Sequence, residues 1–125
     1  MGYRVLVVDD SKLARMAVAK ALSALHPDWT RVEAANADEA LGHAKAGAFD
    51  MAIIDYNMPG RDGLQLATEM LALRPGVPLA VISANHQVEV VTRAREVGAT
   101  FLQKPVTEKA LRDFAADAVQ RLSAR

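Results

Sequence analysis

What most constrains this chain is the regular exchange of two hydrophobic periods along it. Val5-Leu6-Val7-Val8 is a short run that is apolar on both faces, too short for a helix and suited to a strand covered on two sides. Ala14, Ala17, Val18, Ala21, Leu22 and Leu25 then recur at spacings of three and four, the stripe of an amphipathic helix, which Pro27 stops. Thr30 to Ala34 reads as a second strand, less buried than the first, with Val32 its main apolar residue. Asn36 and Glu39 form a capping box that opens a second helix, and Gly47 closes it. Met51-Ala52-Ile53-Ile54 is a third strand, and the turn residues Pro59-Gly60 and Asp62-Gly63 follow it. Leu64, Ala67, Met70 and Leu71 carry a third helix as far as Pro75, and Leu79-Ala80-Val81-Ile82 is a fourth strand. Val91, Ala94 and Val97 mark a fourth helix ended by Gly98, and Thr100-Phe101-Leu102 is a fifth strand. Leu111, Phe114, Ala115, Ala118 and Leu122 form the last helix, with Thr107 as its N-cap.

Five strands alternating with five helices predict an α/β chain with a doubly wound parallel sheet. No repeat, linker or low-complexity segment interrupts the pattern, so residues 1–125 are expected to form one domain. Right-handed crossovers place helices on both faces of the sheet. A strand order of 2-1-3-4-5, the flavodoxin-like arrangement, would make the first and third strands neighbours at the topological switch point, where ligands bind.

Composition narrows the function classes. Half of the 125 residues are apolar and only 24% are charged, the balance of a globular chain. Fifteen basic residues against fifteen acidic ones leave no net field to attract nucleic acid or an anionic membrane. The chain has no cysteine, which excludes disulfides and thiolate metal sites. Met1-Gly2-Tyr3-Arg4-Val5-Leu6 runs straight into a strand, without a signal-peptide apolar stretch or the serine or threonine at position 6 that myristoylation wants. A cytoplasmic protein without an anchor is expected.

The polar residues at the strand ends point to chemistry. Asp9 and Asp10 follow the first strand, Asp55 the third, and Lys104-Pro105 the fifth. In a parallel sheet these ends gather at one edge, so acids distant in sequence would meet there. Such a cluster must be neutralised by a metal, a proton or a cation. A divalent cation beside a phosphoryl group explains it most simply. His26, His43 and His86 have no ligand spacing, which argues against zinc. Each acid alone also has a structural reading: Asp9-Asp10 before Ser11 as a helix-capping turn, Asp55 as a turn acid, Lys104-Pro105 as a solvated loop. Asp62-Gly63 reads as turn and N-cap, the Ala-rich stripe of the first helix as core, and Trp29 and Tyr56 as packing residues. His86 lies three residues after Ser83, where a surface histidine near the rim of the site is expected.

Taken together, Asp9-Asp10, then Asp55-Tyr56-Asn57-Met58-Pro59-Gly60-Arg61-Asp62-Gly63, then Ser83-Ala84, then Lys104-Pro105 resemble a response-regulator receiver domain, the CheY-like family of two-component signalling. The resemblance runs over residues 5–122. It implies phosphoryl transfer from the phosphohistidine of a sensor histidine kinase, or a phosphotransfer protein, onto Asp55, with Mg2+ required. It also implies a cis Lys104–Pro105 bond. Magnesium takes one or two carboxylates and keeps several waters. Asp10, Asp55 and the Asn57 carbonyl would be direct ligands and Asp9 would act through water. Lys104 and the Ser83 hydroxyl would meet the phosphoryl oxygens. In the family, movement of that hydroxyl vacates space for an aromatic ring on the fifth strand, here Phe101. The surface that changes would be the fourth helix, fifth strand and fifth helix, where Arg93, Glu96, Gln103 and Arg112 could meet an unidentified protein target or a second copy of the chain.

Three alternatives bear weighing. A magnesium-dependent phosphatase of the haloacid-dehalogenase type also forms an aspartyl phosphate, but carries Asp-x-Asp after its first strand and a cap domain. Here the acids are adjacent and the nucleophile candidate follows the third strand. A receiver cut from a longer DNA-binding regulator would share every residue of the site; with Leu122 three residues from the last, no effector domain is expected in the chain. A flagellar-motor role is disfavoured because chemotaxis members commonly have tyrosine at the position of Phe101 and glutamate at that of Asn85.

Overall fold

The computed structural model describes residues 2–84 and 87–124. The elements alternate as expected: β1 (Arg4–Val8), α1 (Lys12–Leu25), β2 (Thr30–Ala34), α2 (Ala37–Ala46), β3 (Met51–Asp55), α3 (Gly63–Leu73), β4 (Leu79–Ser83), α4 (Val88–Val97), β5 (Thr100–Gln103) and α5 (Glu108–Ser123). All five strands are parallel in one sheet, in the order β2-β1-β3-β4-β5.

The two-residue period of a strand divides the core between two faces. Val5, Val7, Met51, Ile53, Ala80, Ile82 and Leu102 face one side, where they pack with Leu22 of α1 and Leu111, Phe114 and Ala118 of α5. Leu6, Val8, Ala52, Ile54, Leu79 and Val81 face the other, against α2, α3 and α4. Every residue of β3 and β4 is buried, which is why those segments read as unbroken apolar runs. Each fully buried leucine or isoleucine contributes roughly 1.5–3 kcal/mol relative to an exposed one. The edge strand β2 buries only Ala34.

Helix ends follow local chemistry. Proline excludes the helical conformation from the residue before it. His26 (φ −138°, ψ 81°) and Arg74 (φ −134°, ψ 79°) accordingly end α1 and α3 ahead of Pro27 and Pro75. Gly47 and Gly98 end α2 and α4 with φ of 65° and 89°, a region that glycine enters without a Cβ clash. Asn36 caps α2 through the Glu39 N–H, but the Glu39 carboxylate accepts from the Ala35 N–H, one residue before the cap, so the expected box is shifted. A complete capping box forms instead at Asp62 and Gln65.

The α1 stripe is core in part: Leu22 is buried together with Ala19, while Val18, Ala21 and Leu25 pack half-buried on the core and Ala17 is exposed. An apolar cavity of about 570 Å³ opens between Ala14, Ala17, Val18 and Ala21 of α1 and Pro105, Val106 and Leu111 at the entry to α5, beside Asp9 and Lys104. Trp29 is a packing residue as expected, stacked on His26 at 3.8 Å and edge-on to Tyr3 at 5.6 Å. Asn85 and His86, which entered the sequence reading, lie outside the described residues. Among the described residues no helix is long and apolar enough to cross a membrane.

Candidate functional site: an acidic crevice at the carboxyl edge of the sheet

Strand register builds the site. Val8 pairs with Ile54, so the next residue of each strand, Asp9 and Asp55, emerges at the same level of the sheet. Asp9 extends the β1–β2 ladder by donating its N–H to the Ala34 carbonyl at 3.1 Å. The chain then turns sharply: Asp9 Oδ1 accepts the Ser11 N–H at 2.9 Å, and Ser11 in turn caps α1 through the Ala14 N–H. The capping reading of this segment and the chemical one hold together. Asp9, Asp10 and Asp55 each bring one carboxylate oxygen to within 4.8 Å of the others.

Burial separates the three acids. Asp9 and Asp55 are buried, 7% and 4% exposed, whereas Asp10 is exposed. Burial raises the Asp9 pKa above the usual carboxylate range, and the charges of Asp55 and Asp10 add to this; the Ser11 N–H and Lys104 pull the other way without cancelling it. Lys104 Nζ stands 2.8 Å from Asp55 Oδ1. Burial alone would lower the pKa of this ammonium, but its contact with Asp55 and the charges of Asp55, Asp9 and Asp10 together raise it. The Asp55 Oδ1 atom is enclosed, and although the ammonium pairs with it, no well-angled hydrogen bond reaches it. An all-oxygen donor set with a buried, incompletely satisfied oxygen fits a small hard cation.

Other sequence candidates take distinct places. Ser83 is fully buried at the end of β4, one position past Ile82, the residue paired with Asp55. Its carbonyl accepts the Lys104 N–H at 3.0 Å, so the end of β4 anchors the segment that carries the lysine. The Lys104–Pro105 bond is cis. Asn57 is exposed on the loop after β3, and Tyr56 packs partly buried on the core. Phe101, paired with Val81, is half-buried on the α2–α3–α4 face.

Gly63, expected only as a turn residue, and Arg15, which no motif marked, both take part in shaping the site. Gly63 opens α3 directly against the backbone of the Asp55 strand: a Cβ there would lie 2.5 Å from the Asp55 carbonyl oxygen and 2.8 Å from the Tyr56 Cα. Its N–H donates to the Tyr56 carbonyl at 2.8 Å. Asp-Gly signals a turn, and nothing in the dipeptide reveals what the turn leans on. Arg15 bonds the Asp9 carbonyl and Glu33. Its position one helical turn after Ser11 was the available signal.

Comparison with known proteins agrees with this geometry. The family model described as response regulator receiver domain matches residues 5–116. The transcriptional regulatory protein PdtaR of Mycobacterium tuberculosis is 37% identical over 103 residues, covering 82% of this chain and 49% of PdtaR. The chemotaxis protein CheY4 of Vibrio cholerae superposes with a TM-score of 0.83 at 27% identity, covering 94% of this chain and 99% of that one. A CheY-like receiver domain protein from Methanospirillum hungatei, 22% identical, shares the fold over the full length of both chains with a TM-score of 0.89. The chain spans about half or less of the length of the curated relatives it matches.

Proposed function

Because the chain belongs to the response regulator receiver domain family, we propose that it is a phosphoacceptor switch in which Asp55 takes a phosphoryl group from the phosphohistidine of a sensor kinase or a phosphotransfer protein. A carboxylate oxygen of Asp55 attacks phosphorus in line, the P–N bond to the histidine breaks, and an acyl phosphate forms on Asp55. Lys104, already paired with Asp55, supplies a point charge to the phosphoryl oxygens. The Ser83 hydroxyl donates a hydrogen bond to one of them. Asp10, Asp55 and the Asn57 carbonyl would hold a magnesium ion, with Asp9 acting through a water. When bound, the ion neutralises the charge that three acids and a phosphoryl group bring together.

The rest of the reading follows from that role. Residues 1–125 act as one receiver unit, a switch whose only chemistry is its own phosphorylation and dephosphorylation. It works in the cytoplasm without touching nucleic acid or membrane. Its output passes through α4, β5 and α5, where Arg93, Glu96, Gln103 and Arg112 meet a protein target or a second copy of the chain. Capture of a partner by phosphorylated but not unphosphorylated protein would identify that target.

The observation that carries the proposal is the buried Asp55 carboxylate, held by Lys104 and flanked by two further acids. Incubation with acetyl phosphate should add one phosphoryl group by intact mass, and EDTA should abolish the gain. Equal labelling of Asp55→Asn would sink the assignment.

A further inference from the structure

The first turn of α1 places Arg15 over the end of β1, where its side chain is only 14% exposed. The guanidinium bridges two strands. Nη1 donates to the backbone carbonyl of Asp9 at 2.6 Å, and Nε donates to Oε1 of Glu33 in β2 at 2.9 Å. The Asp9 carbonyl belongs to the same planar peptide unit as the Asp10 N–H. Holding that oxygen therefore sets the direction in which Asp10 leaves the strand. The peptide on the other side of Asp9 is already held, because the Asp9 N–H donates to the Ala34 carbonyl. Asp10 itself is exposed, so its carboxylate is aimed by the backbone rather than by enclosing side chains.

We propose that Arg15 is a positioning residue for the metal-binding corner: by clamping the Asp9 carbonyl to Glu33 it aims the Asp10 carboxylate at the cation that Asp55 shares. The inference rests on the reading of Asp10 and Asp55 as magnesium ligands. A guanidinium is suited to this task, since its N–H groups lie in one rigid plane and reach two acceptors at once. A lysine ammonium keeps the charge but not the two-point span.

Magnesium titration of the full chain by calorimetry tests it. Partners that orient metal ligands typically tune affinity by about tenfold or more. Arg15→Ala should raise the magnesium Kd by about that factor. Glu33→Gln, which leaves the arginine but weakens its far anchor, should raise it less, and Arg15→Lys should fall between wild type and Arg15→Ala. Labelling of Arg15→Ala by acetyl phosphate should be slow at limiting magnesium and return to the wild-type rate at saturating magnesium. A bridge that is structural alone would lower the melting temperature and leave the magnesium constant unchanged, and that result would overturn the assignment. If Arg15→Ala does not fold, Glu33→Gln decides by the same criterion. Wild-type protein that binds no magnesium would remove the metal reading itself, and the role of Arg15 with it.

Discussion

Lys104 Nζ and Asp55 Oδ1 are 2.8 Å apart, and the pair joins a lysine side chain 38% exposed to an aspartate side chain only 5% exposed. The asymmetry sets its energetics. The lysine keeps much of its hydration, while the carboxylate has given up nearly all of its own, so the aspartate depends on the lysine more than the reverse. On the proposed function, a phosphoryl donor approaching Asp55 would also meet a cation that is already in place.

Loss of Lys104 should therefore strand a buried charge. Lys104→Ala is expected to destabilise the metal-free protein by about 1–3 kcal/mol, less than a fully enclosed pair because the ammonium is partly solvated. Adding Asp55→Asn should recover most of that loss. The folded-state pKa of Lys104 lies above its unfolded value, so its contribution is fully present below 10.5 and fades only as pH rises through the raised value. Urea denaturation of the four proteins of the cycle at neutral pH, and of wild type and Lys104→Ala into the alkaline range, checks both statements.

Asp9 should behave in the opposite sense. Its folded-state pKa is raised above 3.8, so the stability it contributes is present below 3.8 and is lost as pH rises through the folded value. At neutral pH the ionised side chain is a cost. Asp9→Asn keeps an oxygen for the Ser11 N–H and removes the charge, and should stabilise the metal-free protein by about 1 kcal/mol. The gain should shrink toward acid pH, where wild-type Asp9 is protonated. Magnesium should stabilise wild type by mass action on the folded state and the variant less. A variant less stable than wild type at neutral pH without metal would count against charge crowding as the main force in the crevice.

Gly63 should tolerate no side chain. The Cβ of Gly63→Ala would meet backbone atoms of Asp55 and Tyr56, which cannot swing aside as a flexible side chain can. A loss of about 1–3 kcal/mol is expected, with slower labelling of Asp55 as the end of β3 shifts. Gly42 is the control: it is exposed in α2, and a Cβ there meets nothing within 4 Å. Gly42→Ala should stabilise by about 0.5–1 kcal/mol through helix propensity. Thermal melts of both variants beside labelling rates distinguish the two effects.

The sheet edge was legible in the sequence because a parallel strand's end is a position, and apolar runs mark positions well. Asp9 and Asp55 each sit directly after such a run and on neighbouring strands, and Lys104, at the end of the fifth strand, reaches Asp55 across the intervening β4 with its long side chain. What the sequence left open depends on side-chain direction and on what a turn packs against. Arg15 reaches back from a helix to a strand carbonyl, a contact that no period encodes. Glu39 bonds the N–H of Ala35 rather than of Asn36, a shift of one residue within a correct local motif. The alanines of α1 fitted the helical stripe, but a groove lies between them and the entry to α5 where a filled interface was expected. The difference in burial between the adjacent Asp9 and Asp10 followed from the turn at Ser11 rather than from composition.

Phe101 should report whether the phosphoryl signal leaves the crevice. The ring is half-buried on the α4 side of β5, packed on the core with part of its surface exposed. It carries no hydroxyl, so unlike a tyrosine it loses no hydrogen bond on turning in, and its inward state should be appreciably populated before phosphorylation. α4 packs on the same face of the sheet as Phe101 and is the helix suited to respond. Beryllofluoride bound at Asp55 mimics the phosphoryl group, and its charge-assisted hydrogen bond to Ser83 should bias the two-state packing of Phe101. NMR of that complex should show shifts at Phe101, along α4 and on the exposed side of α5. Shifts confined to the loops around Asp55, with α4 and Phe101 silent, would make Phe101 an ordinary packing residue and place the output elsewhere.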